Sequence, residues 1–199
     1  LQTWGLEEGM VIAYHLLEYD LSIFRVDKLS LLFGYLFNLA AFIGFIYAFH
    51  ESDLKQQIAA VVYAGSALGA VFAGDLLTLF VFWELLAISS VFLIWARGTD
   101  RAYKAGTRYL LMQVLSGVLL LAGALSQYHQ TGSLAFNYIG LEGLSACLIF
   151  AAFGIKCAFP FFHSWLTDAY PEATPTGTVF LSAFTTKVAV YALARGFPG

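Results

Sequence analysis

Residues 57–96 read QIAAVVYAGSALGAVFAGDLLTLFVFWELLAISSVFLIWA and contain only two charged side chains, Asp75 and Glu84. As one helix this stretch would reach about 60 Å, twice the roughly 30 Å thickness of a bilayer's hydrocarbon core. It is therefore predicted to form two membrane spans, 57–74 and 76–96, which fold back on each other at Gly74-Asp75. Because backbone groups in lipid must be satisfied within their own segment, the predicted fold is an all-α transmembrane helical bundle.

The composition of the whole chain supports a location in the lipid bilayer. Of 199 residues, 60% are hydrophobic and 12% are charged, with a mean hydropathy of +0.76. An ordinary soluble domain is about 45–50% apolar and about 25% charged. The net charge of −3 and the lack of a basic run give no indication of nucleic-acid binding. We therefore predict a multi-pass integral membrane protein of a bacterial or archaeal cell (inner) membrane.

Six spans are predicted in all, the four others being 29–49, 108–127, 143–162 and 176–195. Residues 1–28 are predicted to lie outside the bilayer, because HLLEYDLSIFRVD alternates apolar and polar side chains as a short strand or hairpin does. Since lysine and arginine favour the inner side, the 97–107 loop is placed inside, and the alternation of the six spans then places 163–175 inside as well. The inner segments then carry Lys55, Arg97, Arg101, Lys104 and Arg108, and the outer ones Arg25, Lys28 and Arg195.

Three charged residues lie in the middle of predicted spans: Glu84, Lys156 and Lys187. A charge at the bilayer centre costs about 2.5–3.5 kcal/mol on insertion scales, and such residues commonly mark ion or proton pathways. Glu84 lies too far inside its span to reach the surface, so it must be protonated or paired with a lysine. Trp83 beside it is expected to be a packing residue. These three residues are predicted to relay protons. The structural alternative is a buried ion pair that only fixes helix register.

Lys156 is followed four residues later by Pro160, which cannot donate a hydrogen bond to the Lys156 carbonyl. The helix is therefore predicted to kink or break beside the lysine, with Gly154 loosening the same turn. Helices that are broken near the middle of the membrane usually line a cavity or an ion path. Burial disfavours the charged ammonium and a nearby carboxylate favours it, a balance that suits a switchable proton carrier.

The remaining polar residues give weaker indications. His163 begins the loop after the predicted break and is a candidate for proton entry, because histidine exchanges protons near neutral pH. Asp75, Asp168 and Glu172 lie at turns, where a solvated cap or turn role is expected. Cys147 and Cys157 are too far apart on one helix for a mutual disulfide, and two cysteines cannot hold an iron–sulfur cluster. No metal or other cofactor is expected in this chain.

The segment GIKCAFPFFHSWLTDAYPEATPTGTVFLSAFTTKVAVYALAR, residues 154–195, resembles the proton-translocating antiporter-like membrane subunits of complex I, membrane-bound hydrogenases and Mrp-type Na⁺/H⁺ antiporters. DLLTLFVFWELLAISSVFLIW resembles the glutamate-bearing span of that family, and FRVDKLSLLF an early span. Within the family, the sequence is most similar to the D-type subunit of Mrp antiporters. The resemblance implies that Glu84 is the key glutamate, Lys156 the lysine of the broken helix, and Lys187 the lysine of the following helix.

The resemblance also implies that the chain is the first inverted-repeat half of such a protein, and so a piece of a longer one. The expected function is proton conduction in a multisubunit cation/proton antiporter, with other membrane subunits as partners and protons and Na⁺ as the transported ions. This makes the chain part of an ion transporter rather than an enzyme. The alternative is a proton-pumping component of a redox-driven complex, such as complex I or a membrane-bound hydrogenase.

Overall fold

A computed structural model of the chain describes residues 7–16 and 19–198, and they form a helical bundle preceded by a β-hairpin. The helices are α1 (Lys28–Tyr47), α2 (Leu54–Phe72), α3 (Leu76–Trp95), α4 (Asp100–Thr131), α5 (Gly143–Lys156), α6 (Ser164–Ala169) and α7 (Pro175–Gly196). The strands are β1 (Val11–Leu16) and β2 (Tyr19–Arg25), paired antiparallel. The all-α class is confirmed. Residues 1–6 and 17–18 of the predicted extramembrane segment lie outside the described residues.

Four helical segments in the described part are long and apolar enough to cross a membrane, namely Lys28–His50, Leu76–Trp95, Asp100–Thr131 and Pro175–Gly196. The predicted span 57–74 forms the 19-residue helix α2, whose polar first turn lowers its mean hydropathy. The predicted span 143–162 contains the shorter α5, which has 14 residues and ends at Lys156. The count of six spans therefore stays a prediction.

Helix α4 is longer than the sequence indicated. It has 32 residues and begins at Asp100, capped by the Thr99 hydroxyl, so most of the predicted 97–107 loop is helical. At about 1.5 Å per residue this helix is roughly 48 Å long, more than the hydrocarbon core requires. The first turns of α4, which carry the basic side chains of this stretch, therefore lie beyond the end of α3.

The turn between α2 and α3 lies at Gly74-Asp75, as predicted. The Gly74 N–H donates to the Ser22 carbonyl of β2, and a Cβ at position 74 would lie only 2.7 Å from that oxygen. Asp75 caps α3 by accepting from the Thr78 N–H and the Thr78 hydroxyl, each at 2.7 Å. The predicted cap role of Asp75 is confirmed, but the cap is buried rather than solvated: Asp75 is 1% exposed and forms a bridge with Ala135.

The opposite end of the bundle joins the basic start of α4 to the loop after α5. Asp168 on α6 accepts two hydrogen bonds from Arg108, at 2.7 and 2.9 Å. Glu172 lies 3.1 Å from the Arg101 guanidinium, and Arg97 donates to the Pro171 carbonyl. The two segments predicted to lie on the inner side therefore meet at one end of the bundle.

Candidate functional site

Helix α5 breaks directly after Lys156, next to Pro160. The N–H of Phe159 donates to the Gly154 carbonyl at 3.0 Å and the N–H of Ala158 to the Ile155 carbonyl at 3.1 Å. With Ala158 left-handed at φ 62°, these two bonds make the Schellman motif that ends many helices. Pro160 follows because a residue without an N–H cannot continue the helix.

The residues around the break pack against the end of α5. A Cβ on Gly154 would lie 2.8 Å from the Phe159 ring, so the glycine allows the chain to fold back over the helix end. The Trp165 indole of α6 donates to the Ile155 carbonyl at 3.0 Å. Since a carbonyl oxygen can accept two hydrogen bonds, the Ile155 carbonyl binds both the Ala158 N–H and this indole, and the second bond fixes α6 onto the end of α5.

Lys156 is fully buried at the end of α5 and contacts Trp83 of α3 in two ways. Its Nζ donates a 2.9 Å hydrogen bond to the Trp83 carbonyl oxygen, and it lies 4.4 Å from the centre of the Trp83 ring. A cation over an aromatic face within about 6 Å is attracted by the ring quadrupole. The ammonium is therefore held by neutral groups, and this geometry needs no direct carboxylate partner.

Trp83 also ties three helices together. Its Nε1 donates to the Ser116 hydroxyl of α4 at 2.9 Å, and that hydroxyl donates to the Ala152 carbonyl of α5 at 2.8 Å. Its ring packs against Phe153, with centroids 5.2 Å apart. The sequence indicated only packing for Trp83, yet the residue is the principal contact of Lys156. The adjoining Glu84 was the only signal in the sequence that pointed to it.

Glu84 lies one residue further along α3 and faces α4. Its Oε1 is enclosed and has no hydrogen-bond partner among the described residues. A Cβ on Gly117 of α4 would overlap the Glu84 carboxylate, so the glycine makes the space that this side chain occupies. An enclosed carboxylate oxygen without a donor is a high-energy arrangement in a protein interior, and a functional role or an ordered water molecule is the kind of explanation it requires.

Glu84 and Lys156 interact electrostatically without direct contact. None of the ion pairs within 4.0 Å that the described residues form joins the two. Because Lys156 contacts Trp83, the residue next to Glu84, the structure brings these two predicted site residues into one region. Because no salt bridge joins them, either group can gain or lose a proton without breaking one.

Lys187 lies elsewhere on the bundle. It is exposed on α7, and its Nζ donates to the Ser182 carbonyl at 2.6 Å. Helix α7, which carries Lys187, packs against α5, the helix that breaks after Lys156. The structure therefore does not bury Lys187 with Glu84 and Lys156. The sequence did not show this, because hydrophobic side chains occur all around α7. Periodicity therefore does not mark the side of this helix that packs against its neighbours.

His163 lies in the loop after the break and is exposed. Its backbone carbonyl accepts from the Leu166 N–H at 3.0 Å at the start of α6. In residues 7–16 and 19–198, its imidazole has no hydrogen bond or ion pair to Glu84, Lys156 or Lys187. Its role in proton entry stays a prediction. No cluster of three or more potential metal ligands occurs in that part of the chain either.

A buried group of hydroxyls in the core was not predicted from the sequence. The Tyr63 hydroxyl of α2 accepts from the Thr185 N–H at 2.9 Å and also bonds the Thr185 hydroxyl. The Tyr109 hydroxyl lies 3.4 Å from that of Thr185 and 2.7 Å from that of Ser90. We call these four residues the hydroxyl cluster. Tyrosines are abundant in this chain, so sequence alone did not distinguish the two that join it.

A sequence model described as NADH:quinone oxidoreductase/Mrp antiporter, transmembrane, matches residues 73–198, which contain Glu84, Lys156 and Lys187. The chain belongs to this family. It is 29% identical over 192 residues to the M subunit of NADH-quinone oxidoreductase of Pseudomonas aeruginosa, covering 85% of this chain and 38% of that protein. It is also 29% identical over 193 residues to the A-type subunit of the Na⁺/H⁺ antiporter of Alkalihalophilus pseudofirmus, covering 87% of this chain and 24% of that protein.

The fold is similar to that of a solved member of the family. A chain in the Mrp complex of Dietzia superposes with a TM-score of 0.76 at 25% identity, over 94% of this chain and 38% of that one. The resemblance drawn from the sequence is confirmed at the level of the family, while its narrowing to the D-type subunit stays a prediction. This chain spans less than half the length of each of these relatives.

Proposed function

We propose that this chain is a proton-conducting part of a multisubunit Na⁺/H⁺ antiporter, and that Glu84, Lys156 and Lys187 relay the protons. The observation that carries the proposal is the fully buried Lys156, held by the carbonyl and ring of Trp83 rather than by a carboxylate. A neutral lysine can keep both contacts weakly, whereas a protonated one makes them strongly. Gain and loss of a proton therefore needs no rearrangement of the helices.

The half-buried Glu84 carboxylate, whose Oε1 is enclosed, supplies the second element of the proposed relay. Negative charge on Glu84 favours the ammonium form of Lys156, and neutralising Glu84 favours proton release from it. Since the two groups are not in direct contact, each can exchange protons with a different neighbour. Lys187, on the side of the broken helix, is proposed to accept protons that leave Lys156.

The exposure of Lys187 bears on the proposed partners. A lysine near the middle of a membrane span that faced lipid would cost several kcal/mol. We therefore propose that protein covers this face of α7 in the assembled complex, either further membrane segments of a longer chain or a neighbouring subunit. The relatives that are named as subunits of larger complexes support this proposal.

A second candidate is the same proton-conducting role in a redox-driven complex. The chain is as similar to a component of NADH-quinone oxidoreductase as to a component of a Na⁺/H⁺ antiporter, at 29% identity in each case. In that alternative, electron transfer in partner subunits would drive proton movement through the same residues of this chain.

The test uses inverted membrane vesicles that carry the complete complex. The pH gradient is followed after a sodium pulse for wild type, Glu84→Gln, Lys156→Met and the control Lys104→Met, which changes an exposed lysine of α4. A sodium-dependent response that Glu84→Gln and Lys156→Met abolish and Lys104→Met retains supports the antiporter. A gradient built only by a reductant supports the redox-driven complex. Full transport in Lys156→Met would overturn the relay.

A further inference from the structure

Gln113 of α4 is the most unusual polar residue outside the relay just described. Its side chain is fully buried, and both its amide nitrogen and its amide oxygen have no hydrogen-bond partner among the described residues. An amide offers two donor hydrogens and an acceptor oxygen. Burying such a group unpaired costs about 1–3 kcal/mol by mutational measurement, and buried polar groups are normally satisfied by protein or by ordered water.

The position of Gln113 on its helix connects two sites that are otherwise separate. Tyr109, Gln113 and Gly117 follow one another at intervals of four residues, so they lie along one face of α4, with about 6 Å of rise between neighbours. Tyr109 belongs to the hydroxyl cluster. Gly117 makes the space for the Glu84 carboxylate, whose Oε1 also lacks a partner. Gln113 therefore lies between two polar groups, one helical turn from each.

We propose that Gln113 and Glu84 form an internal water-binding site between α3 and α4. Water there accepts from the Gln113 amide N–H and donates to the Gln113 carbonyl, the Glu84 Oε1 and the Tyr109 hydroxyl. Each of these groups can bond water at ordinary cost, and the site is polar on several sides, as ordered internal water requires. Two water molecules, which can donate four hydrogen bonds between them, satisfy the three acceptors and span the distance of a helical turn.

The water site extends the proton path beyond the three predicted residues, and this part of the inference rests on the proposed function. Protons pass between Glu84 and the Tyr109 hydroxyl through the bound water, and from Tyr109 to Thr185 and Tyr63 through the hydroxyl cluster. Thr185 lies on α7, two residues before Lys187. Gln113 thus positions the water that links the Glu84 side of the relay to the helix that carries Lys187.

Radiolytic labelling of the complete complex tests the water site without any transport measurement. X-ray pulses generate hydroxyl radicals from bound water, and these oxidise the adjacent side chains, which mass spectrometry then locates. Tyr109 and Phe184 are both fully buried aromatics, but only Tyr109 adjoins the proposed site. We expect Tyr109 to oxidise several-fold faster than Phe184 in the wild type. Equal, slow oxidation of the two residues would overturn the proposal.

Two matched variants test the role of Gln113. Gln113→Leu removes the amide at nearly constant volume, and Gln130→Leu makes the same change at an exposed position of the same helix. We expect Gln113→Leu to slow Tyr109 oxidation and proton flux several-fold, with both unchanged in Gln130→Leu. Unaltered Tyr109 oxidation in Gln113→Leu would overturn the inference.

The outcomes for the water site and for the proposed function are distinguishable. Full transport by Glu84→Gln contradicts the proposed relay, whereas rapid Tyr109 oxidation in the wild type still supports the water site. If Gln113→Leu does not assemble, the comparison of Tyr109 with Phe184 in the wild type remains decisive.

Discussion

The ammonium group of Lys156 lies 4.4 Å from the centre of the Trp83 ring and donates a 2.9 Å hydrogen bond to the carbonyl oxygen of the same residue. One residue of α3 thus supplies both neutral contacts of a fully buried lysine on α5. The carbonyl remains whatever the side chain at position 83, so substitution there removes the ring contact of Lys156 and leaves the carbonyl contact in place. The relationship leads to the first prediction.

Replacing the Trp83 ring should slow proton transfer in steps. Trp83→Phe keeps an aromatic face for Lys156 but loses the Nε1 bond to Ser116, and Trp83→Leu loses both. A cation–π contact contributes about 0.5–2 kcal/mol, so we expect Trp83→Leu to change the transfer rate by about 2- to 30-fold. Proton flux in vesicles measures the effect, at complex levels matched by quantitative immunoblotting.

The Ser116→Ala variant is the control for the Trp83 series. It removes the partner of the indole nitrogen and leaves the ring in place. Flux close to wild type in Ser116→Ala, together with reduced flux in Trp83→Leu, assigns the effect to the ring. Equal loss in both variants would contradict this and assign it to the connection between α3 and α4.

The elements of this site differed in how far sequence could predict them. The break after Lys156 follows from local chemistry, since Pro160 four residues later removes the N–H that the helix needs. The joining of Asp168 to Arg108 follows less directly, from two segments assigned to the same side by charge. The exposure of Lys187 depends on how α7 is rotated within the bundle, which nearly uniform hydrophobicity along that helix does not encode.

Gln113 shows a different limit of prediction. A lone amide within YLLMQVLSGVLLLAGAL was visible in the sequence, but charged residues in spans attracted the functional interpretation because their cost in lipid is larger. Only the packing of α4 against α3 reveals that the amide is enclosed and unpaired. A buried neutral polar group is recognised by its missing partners, and those are a property of tertiary structure.

A methyl group at position 117 should displace Glu84. The Cβ of Gly117→Ala would overlap the Glu84 carboxylate, so α3 and α4 must separate or the side chain must move. Overpacking of this kind typically costs about 1–3 kcal/mol. We expect a lower thermal unfolding temperature in detergent. We also expect a reduced proton flux, because the Glu84 carboxylate is displaced from its place in the relay.

Gly65→Ala on α2 is the matched control for this substitution. A Cβ at position 65 meets nothing within 4 Å, whereas one at Gly69, four residues later on α2, would overlap the Phe82 ring. Because alanine favours the helix over glycine by up to about 1 kcal/mol, Gly65→Ala should be neutral or stabilising. Equal unfolding temperatures for Gly117→Ala and Gly65→Ala would show that Glu84 does not occupy the space beside α4.

The attachment of α6 to α4 should weaken in acid. The hydrogen bonds from Arg108 lower the pKa of the Asp168 carboxyl below its ordinary value. A carboxyl with a lowered folded-state pKa stabilises the fold above its unfolded pKa, about 4, and loses this contribution as the pH falls through the lower folded value. The stabilisation by Asp168 should therefore be complete at pH 7 and decline below about pH 4.

Thermal unfolding of wild type and Asp168→Asn across this pH range measures the contribution. We expect a small difference in unfolding temperature at pH 7, since the pair is partly exposed to solvent, and convergence of the two proteins in acid. Asp100→Asn, at the first turn of α4, the helix that carries Arg108, provides the control for removing one negative charge. A difference that grows in acid would contradict the assigned ion pair.

The buried cap of α3 should matter more than the exposed cap of α2. Asp75 accepts from the Thr78 N–H and hydroxyl while covered by protein, whereas Asp53 accepts from the Lys55 N–H in an exposed position. Loss of an N-cap carboxylate costs about 0.5–2 kcal/mol, and burial adds the cost of leaving the Thr78 donors unpaired. The loss of stability should thus lie at or above the upper end of this range for Asp75→Ala and at the lower end for Asp53→Ala.

Unfolding temperatures of the two variants, compared under the same conditions, decide the point. Equal losses would mean that water reaches the α2–α3 turn and satisfies the exposed donors.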